Sequence, residues 1–197
     1  MQPDCERFVP GYGDANADFH VVGDHPKAHG GVDTQVPFTG TAAAERFQDA
    51  LVRAYLVAEP GAEPEPQSTF FSYLHMCVPD GSAPTAAGYA DMERFLDTEV
   101  RAITAHVLLP VGPVATEHVL SEYTPLDAGR AAEMDALHGQ ELLGSGWLVC
   151  PIKEPAEWTE ADEAELVDAL TAVRTSDYRQ ISDLGRFLAD DDPYFVR

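Results

Sequence analysis

The chain has 197 residues and a formal net charge of −22, with only 12 lysines and arginines, of which two, Lys27 and Lys153, are lysine. A hydrophobic content of 45% is enough for a packed core, and the length fits one domain, 1–197, ending in a helical tail over 176–197. The charge excludes a basic electrostatic footprint, and no apolar stretch, not even that near Val107–Val111, is long enough to span a bilayer.

Acid excess with scarce lysine and abundant Ala and Val reads as salt adaptation, of the kind a halophilic archaeon would show: an acidic surface stays solvated when salt screens its self-repulsion. The polar N-terminus, Met-Gln-Pro-Asp-Cys-Glu, does not read as a signal peptide. The expectation is a cytoplasmic monomer with no membrane association. The three cysteines, Cys5, Cys77 and Cys150, are odd in number and form no Cys-x-x-Cys pair. No disulfide framework or zinc site is read from them.

Taken in chain order, residues 17–23 predict a buried strand that ends at Gly23. Asp24, His25 and Pro26 follow, and then a loop rich in Gly and His. A helix is predicted over 41–58, capped by Thr41, with Phe47, Leu51, Ala54, Tyr55 and Ala58 on one face. Residues 59–67 are an acidic, proline-rich loop. Residues 68–77 predict a second strand, and 86–104 a helix with Tyr89, Met92, Leu96 and Ile103 inward. A third strand is predicted at 106–111, followed by a short helix after Gly112. A weak helix near 128–138 precedes a fourth strand over 147–152. Thr159 opens a charged helix to about Arg174, and a last helix covers about 176–189. The Asp190–Asp192 run reads as solvated surface, with Tyr194 and Phe195 docking back on the domain.

Strands separated by helices imply parallel β-α-β units. The expected fold is an α/β, three-layer α/β/α sandwich with a central four-stranded parallel sheet. In such sheets a site forms beyond the carboxyl ends of the strands, so Asp24–Lys27, Tyr73–Cys77 and Lys153–Pro155 should meet there.

Several segments resemble the uracil-DNA glycosylase superfamily, most nearly its iron–sulfur branch (family 4), over roughly residues 8–158. Phe8-Val-Pro-Gly-Tyr-Gly13 and Asp14-Ala-Asn-Ala-Asp18 are similar to the family lead-in. Gly23-Asp24-His25-Pro26-Lys27 resembles the first motif, Gly-Glu-Ala-Pro-Gly, and Pro37-Phe38-Thr39-Gly40 resembles Pro-Phe-Val-Gly. Ser72–Cys77 with Pro79 sits on Thr-Asn-Val-Val-Lys-Cys-Arg-Pro. Arg94–Leu96 with Val107–Gly112 resembles the family's next helix and strand. Val149–Pro155 takes the place of the motif Pro-Thr-x-His-Pro-Ser.

The resemblance implies a base-excision-repair enzyme that flips a base out of DNA and hydrolyses its N-glycosidic bond. Asp24 stands at the acidic position, one carbon shorter, and Gly23 and Pro26 frame it. Phe38 stands at the stacking position, where a base–ring contact contributes about 1–3 kcal/mol. Two positions depart from the family. Tyr73 replaces the base-reading asparagine and cannot reproduce an amide's paired donor and acceptor. Glu154 replaces the histidine and would repel a departing uracil anion; losing such a donor typically costs about 10²–10³ in rate. Lys153 or His25 is the candidate replacement donor. The catalytic candidates are thus Asp24, His25 and Glu154, and the substrate-binding candidates Gly23, Pro26, Phe38, Tyr73 and Lys153.

The iron–sulfur branch uses four cysteines. Cys77 matches one and Cys5 falls near another, while Met92 takes the fourth position, so no cofactor is expected. Cys150 reads as a buried strand residue. DNA is the implied partner, held with little phosphate attraction in molar salt. Two other readings stand beside this one. In the first, a superfamily member has lost catalysis and binds nucleic acid or serves as an accessory protein. In the second, a metal-dependent hydrolase uses His20, His25 and His29 with Asp24 and Asp33, although in a glycine-rich loop their spacing has no helical meaning.

Overall fold

The computed structural model describes residues 3–184. The expected continuation of the last helix to 189, the Asp190–Asp192 run, Tyr194 and Phe195 lie outside the described residues.

Strand β2 (Phe19–Gly23) is buried along its whole length. It pairs in parallel with β3 (Thr69–Tyr73) on one side and β4 (Val107–Pro110) on the other. Strand β6 (Leu148–Val149) extends the parallel set beside β4. Two residues at each edge, β1 (Tyr12–Gly13) and β5 (Leu142–Leu143), pair antiparallel with β3 and β6. The order is β1-β3-β2-β4-β6-β5, so the sheet has six strands where four were expected. The four parallel strands are the expected ones. The edge strands are too short to leave a period-2 pattern.

Alternation along β2 sends Val21 and Val22 to opposite faces. Val21 packs with Phe71, Leu109 and Leu148 against α2 (Ala42–Arg53) and α6 (Glu160–Thr175), through Phe47, Leu51, Leu166 and Leu170. Val22 packs with Leu96 and Val100 of α3 (Ala86–Ile103) and Ala115 of α4 (Gly112–Tyr123). Each fully buried leucine or phenylalanine here contributes about 1.5–3 kcal/mol. Cys150 is buried in the first of these cores, where burial pushes its thiol up to about 12.

The helix starts follow their caps. Thr41 accepts from the Ala44 N–H at 3.1 Å and Thr85 from the Gly88 N–H at 3.1 Å. Thr159 and Asp162 form a reciprocal capping box at α6. Helix α2 ends at Arg53, earlier than expected, because Tyr55 takes φ +60° and reverses the chain. Tyr55 is consequently 61% exposed, with the Arg174 guanidinium 5.4 Å from its ring centroid, rather than on the inner face. The weak helix near 128–138 divides into a 3₁₀ turn (Ala128–Ala132) and α5 (Met134–Leu137). The last element among the described residues is α7 (Tyr178–Leu184). Among the described residues no helix is long and apolar enough to cross a membrane.

Candidate active site

The carboxyl end of β2 runs straight into a one-turn helix, α1 (Pro26–His29), with Pro26 at its first position, where a missing N–H costs nothing. Beside it, the Leu74 N–H donates to Gly23 O (2.8 Å) and the His75 N–H to Asp24 O (3.0 Å), which ties the exit of β3 to this turn. On the other flank, hydrogen bonds to β4 continue past β6: Ile152 N–H to Pro110 O and Gly112 N–H to Ile152 O, both 2.8 Å. That path carries the chain to Glu154. The three segments expected to converge therefore do so.

His29 occupies the centre. Its Nδ1 accepts the Asp24 backbone N–H at 3.0 Å, and its Nε2 lies 2.9 Å from Glu154 Oε2. A nitrogen that accepts an N–H carries no proton, so the proton sits on Nε2 and is donated to Glu154. The same ring stacks on Phe38, with centroids 5.3 Å apart and planes 21° apart, and lies nearly parallel to Tyr73 at 6.2 Å. Gly23 is required beneath this stack. A Cβ there would come within 2.6 Å of Phe38, 2.8 Å of His29 and 2.9 Å of Tyr73. Gly112 plays the same part under Glu154: its φ is +81°, and a Cβ would meet Glu154 Oε2 at 3.0 Å.

Phe38 is held by its backbone. It adopts φ +57°, a left-handed conformation that costs a non-glycine residue about 1–2 kcal/mol. The Tyr73 hydroxyl offsets this cost by accepting the Phe38 N–H at 2.8 Å and donating to Gly30 O at 3.0 Å, while Gln48 donates to Phe38 O at 2.7 Å. Tyr73 is 1% exposed, and its burial raises its pKa. The hydroxyl of Tyr73, one of the substrate-binding candidates, is therefore bonded to the loop backbone in this structure.

The carboxylates lie at the rim, with Asp24 at 15% and Glu154 at 24% side-chain exposure. The Tyr89 hydroxyl donates to Asp24 Oδ1 and orients it. Burial, followed by that hydrogen bond to the Asp24 carboxylate, raises the phenol's pKa. His25 is 3% exposed, with Nε2 3.8 Å from Asp24 Oδ2 and Nδ1 unpartnered. Burial lowers its pKa, with the Asp24 charge opposing, so His25 is neutral near pH 7 and supplies no cation. Lys153 contacts Asp135 (2.6 Å) and Asp162 (3.6 Å). Its ammonium is thus neutralised by α5 and by the first turn of α6.

Of the candidate residues, the structure brings together Gly23, Asp24, His25, Pro26, Phe38, Tyr73 and Glu154. It adds Tyr89, which the sequence reading did not assign to a site, and His29, which that reading named only as a ligand in the metal alternative. The signal for His29 was its place at the end of a Pro-initiated turn, just before Gly30-Gly31. Nothing local marked Tyr89 beyond its inward face on α3. His20, from the metal reading, points elsewhere: its Nε2 meets Ser72 Oγ at 2.7 Å within the sheet, and burial lowers its pKa to about 3. Among the described residues no three His, Cys, Asp or Glu side chains are grouped to hold a metal ion.

Cys5 and Cys77 also meet, as a disulfide with Sγ atoms 2.08 Å apart, a pairing the odd cysteine count hid. The Met92 thioether lies 3.7 Å from Cys77 Sγ. Two cysteines and a thioether do not match the four thiolates of an iron–sulfur cluster.

Residues 10–172 match the model of the uracil DNA glycosylase superfamily. A type-5 uracil-DNA glycosylase of Pyrobaculum aerophilum is 32% identical over 119 residues, covering 58% of this chain and 53% of that protein. One from Mycobacterium leprae is 31% identical over 126 residues, covering 60% and 55%. One from Thermus thermophilus is 29% identical over 127 residues, covering 62% and 58%. The chain spans about half the length of these relatives. They carry the type-5 name, whereas the motif resemblance pointed to family 4. With most of its length matched by the family model, the chain belongs to the uracil-DNA glycosylase superfamily.

Proposed function

We propose that this protein is a DNA glycosylase of base excision repair, related to the type-5 enzymes, which hydrolyses the N-glycosidic bond of uracil or another damaged base flipped out of DNA. The observation that carries this reading is the rim-exposed Asp24 carboxylate, held by Tyr89 at the carboxyl end of β2 beside the His29–Glu154 pair. Loss of the base leaves an oxocarbenium-like sugar and a base carrying negative charge. Asp24 is suited to steady the cation and to orient the attacking water. The departing base needs a neutral donor. With Lys153 paired to Asp135 and Asp162, and His25 buried and neutral, the His29 Nε2–H is the donor at hand. In the structure that proton is donated to Glu154, so a departing base receives it only by displacing the Glu154 carboxylate. A base that stacks on Phe38 must first move the His29 ring off that face.

The working setting is a salt-rich cytoplasm and a monomer on DNA, where shape, stacking and hydrogen bonds replace the phosphate attraction that salt removes. A second reading is favoured by one observation: the flat face of Phe38 is already covered by His29, and the Tyr73 hydroxyl is fully engaged. This suits a superfamily member that binds nucleic acid without cleaving it. Strand nicking after alkali separates the two, using end-labelled oligonucleotides that carry uracil, hypoxanthine, xanthine or mismatched bases in multimolar KCl. The glycosylase reading expects cleavage of at least one substrate and its loss in Asp24→Ala; folded protein that cleaves none would leave the binding reading.

A further inference from the structure

The Cys5–Cys77 disulfide fastens the N-terminal segment to the chain just beyond β3. Residues 7–9 run antiparallel to 76–78 through two backbone bonds, Val9 N–H to Met76 O (2.8 Å) and Val78 N–H to Arg7 O (2.9 Å). From this segment the Arg7 guanidinium reaches Val32 O at 2.9 Å and lies 3.7 Å from Asp33. Both residues belong to the 30–40 loop that presents Phe38. The disulfide therefore sits at one end of a short chain of contacts, Cys77–Cys5–Arg7–Val32, whose other end is the site loop.

Its accessibility is asymmetric. Cys5 is only partly buried and Cys77 is 6% exposed. Both line a cavity of about 840 Å³ that also holds Met92 and His75. Cys5 is the less buried residue of the pair and so the side from which a thiol would approach.

We propose that Cys5–Cys77 is a thiol–disulfide exchange site, opened by a dithiol, which governs the order of the loop carrying Phe38. A reductant thiolate attacks Cys5 Sγ, the Sγ–Sγ bond breaks, and Cys77 leaves as a thiolate that takes up a proton. The second thiol of the reductant then attacks the mixed disulfide and releases Cys5, so that one dithiol becomes one disulfide and two cysteine thiols form. The bridge closes a segment with a sequence separation of 72, long enough for its loss to be felt in the whole domain. Cys150, buried in the core, takes no part.

The test uses the full chain and needs no assay of activity. In protein prepared without reductant and then unfolded, iodoacetamide should label Cys150 alone; after dithiothreitol it should label all three cysteines. Reduction should raise amide hydrogen exchange across residues 31–39 about tenfold, and should lower Tm by on the order of 10 °C. Cys5→Ser should show the reduced behaviour without reductant, and Cys150→Ser should keep the response. Labelling of Cys5 and Cys77 without reductant would overturn the proposal, as would exchange in 31–39 that is identical in the oxidised and reduced protein.

Discussion

Tyr73 shows how one residue can leave the chemistry and enter the scaffold. Its hydroxyl holds Phe38 in a left-handed turn by bonding to Phe38 N–H and Gly30 O, at 2.8 and 3.0 Å. Tyr73→Phe would leave both backbone groups unpaired in the interior. The expected cost is about 1–3 kcal/mol, read as a lower midpoint in urea denaturation with an unchanged slope; an unchanged midpoint would mean that the loop is held by other contacts. At this scale the sequence was a partial guide. Asp24 and Glu154 could be placed because each follows a predicted strand, and Phe38 through the resemblance of Pro37-Phe38-Thr39-Gly40 to the family motif. His29 could not, since its partners are a backbone N–H five residues earlier and a carboxylate 125 residues later. The Cys5–Cys77 bridge was hidden for the same reason. Neither residue carries a local pattern, and only the antiparallel run of 7–9 on 76–78 brings them together.

Elements with a cap and an apolar period were legible, and elements defined by pairing alone were not. Thr41, Thr85 and Thr159 start α2, α3 and α6 where a threonine precedes an amphipathic run. The early end of α2 has no glycine or proline to announce it: Tyr55 takes the positive-φ position, and the Leu56 N–H closes back on Leu51 O at 2.9 Å. The two-residue edges β1 and β5 exist only through their partners. Helix α6 is the clearest case of a local signal with a tertiary consequence. Its capping box orients the start of the helix, where Arg46 from α2 donates to Trp158 O (2.6 Å), Thr159 O (2.8 Å) and Glu163 (2.8 Å). Thr159→Ala should cost about 1 kcal/mol, measurable as a Tm decrease of about 2–4 °C for a domain of this size. No decrease would show that Arg46 alone sets the helix start.

The whole molecule is dominated by its charge of −22. Self-repulsion among surface carboxylates destabilises the compact state, and added salt screens it, shortening the Debye length from about 10 Å at 0.1 M to about 3 Å at 1 M. Stability should therefore rise with KCl, by on the order of 10 °C in Tm between about 0.1 and 2 M; a flat or falling Tm would argue that the acidity serves a basic partner instead. The same charge repels DNA at low salt, so any glycosylase activity is expected to rise with KCl over the same range. The most direct measurement is strand nicking after alkali on end-labelled uracil DNA and related substrates in multimolar KCl, comparing the natural chain with Asp24→Ala. The account expects cleavage of at least one base, reduced at least about 10²-fold by the substitution. Cleavage that survives Asp24→Ala, or no cleavage from folded protein on any substrate, would contradict it.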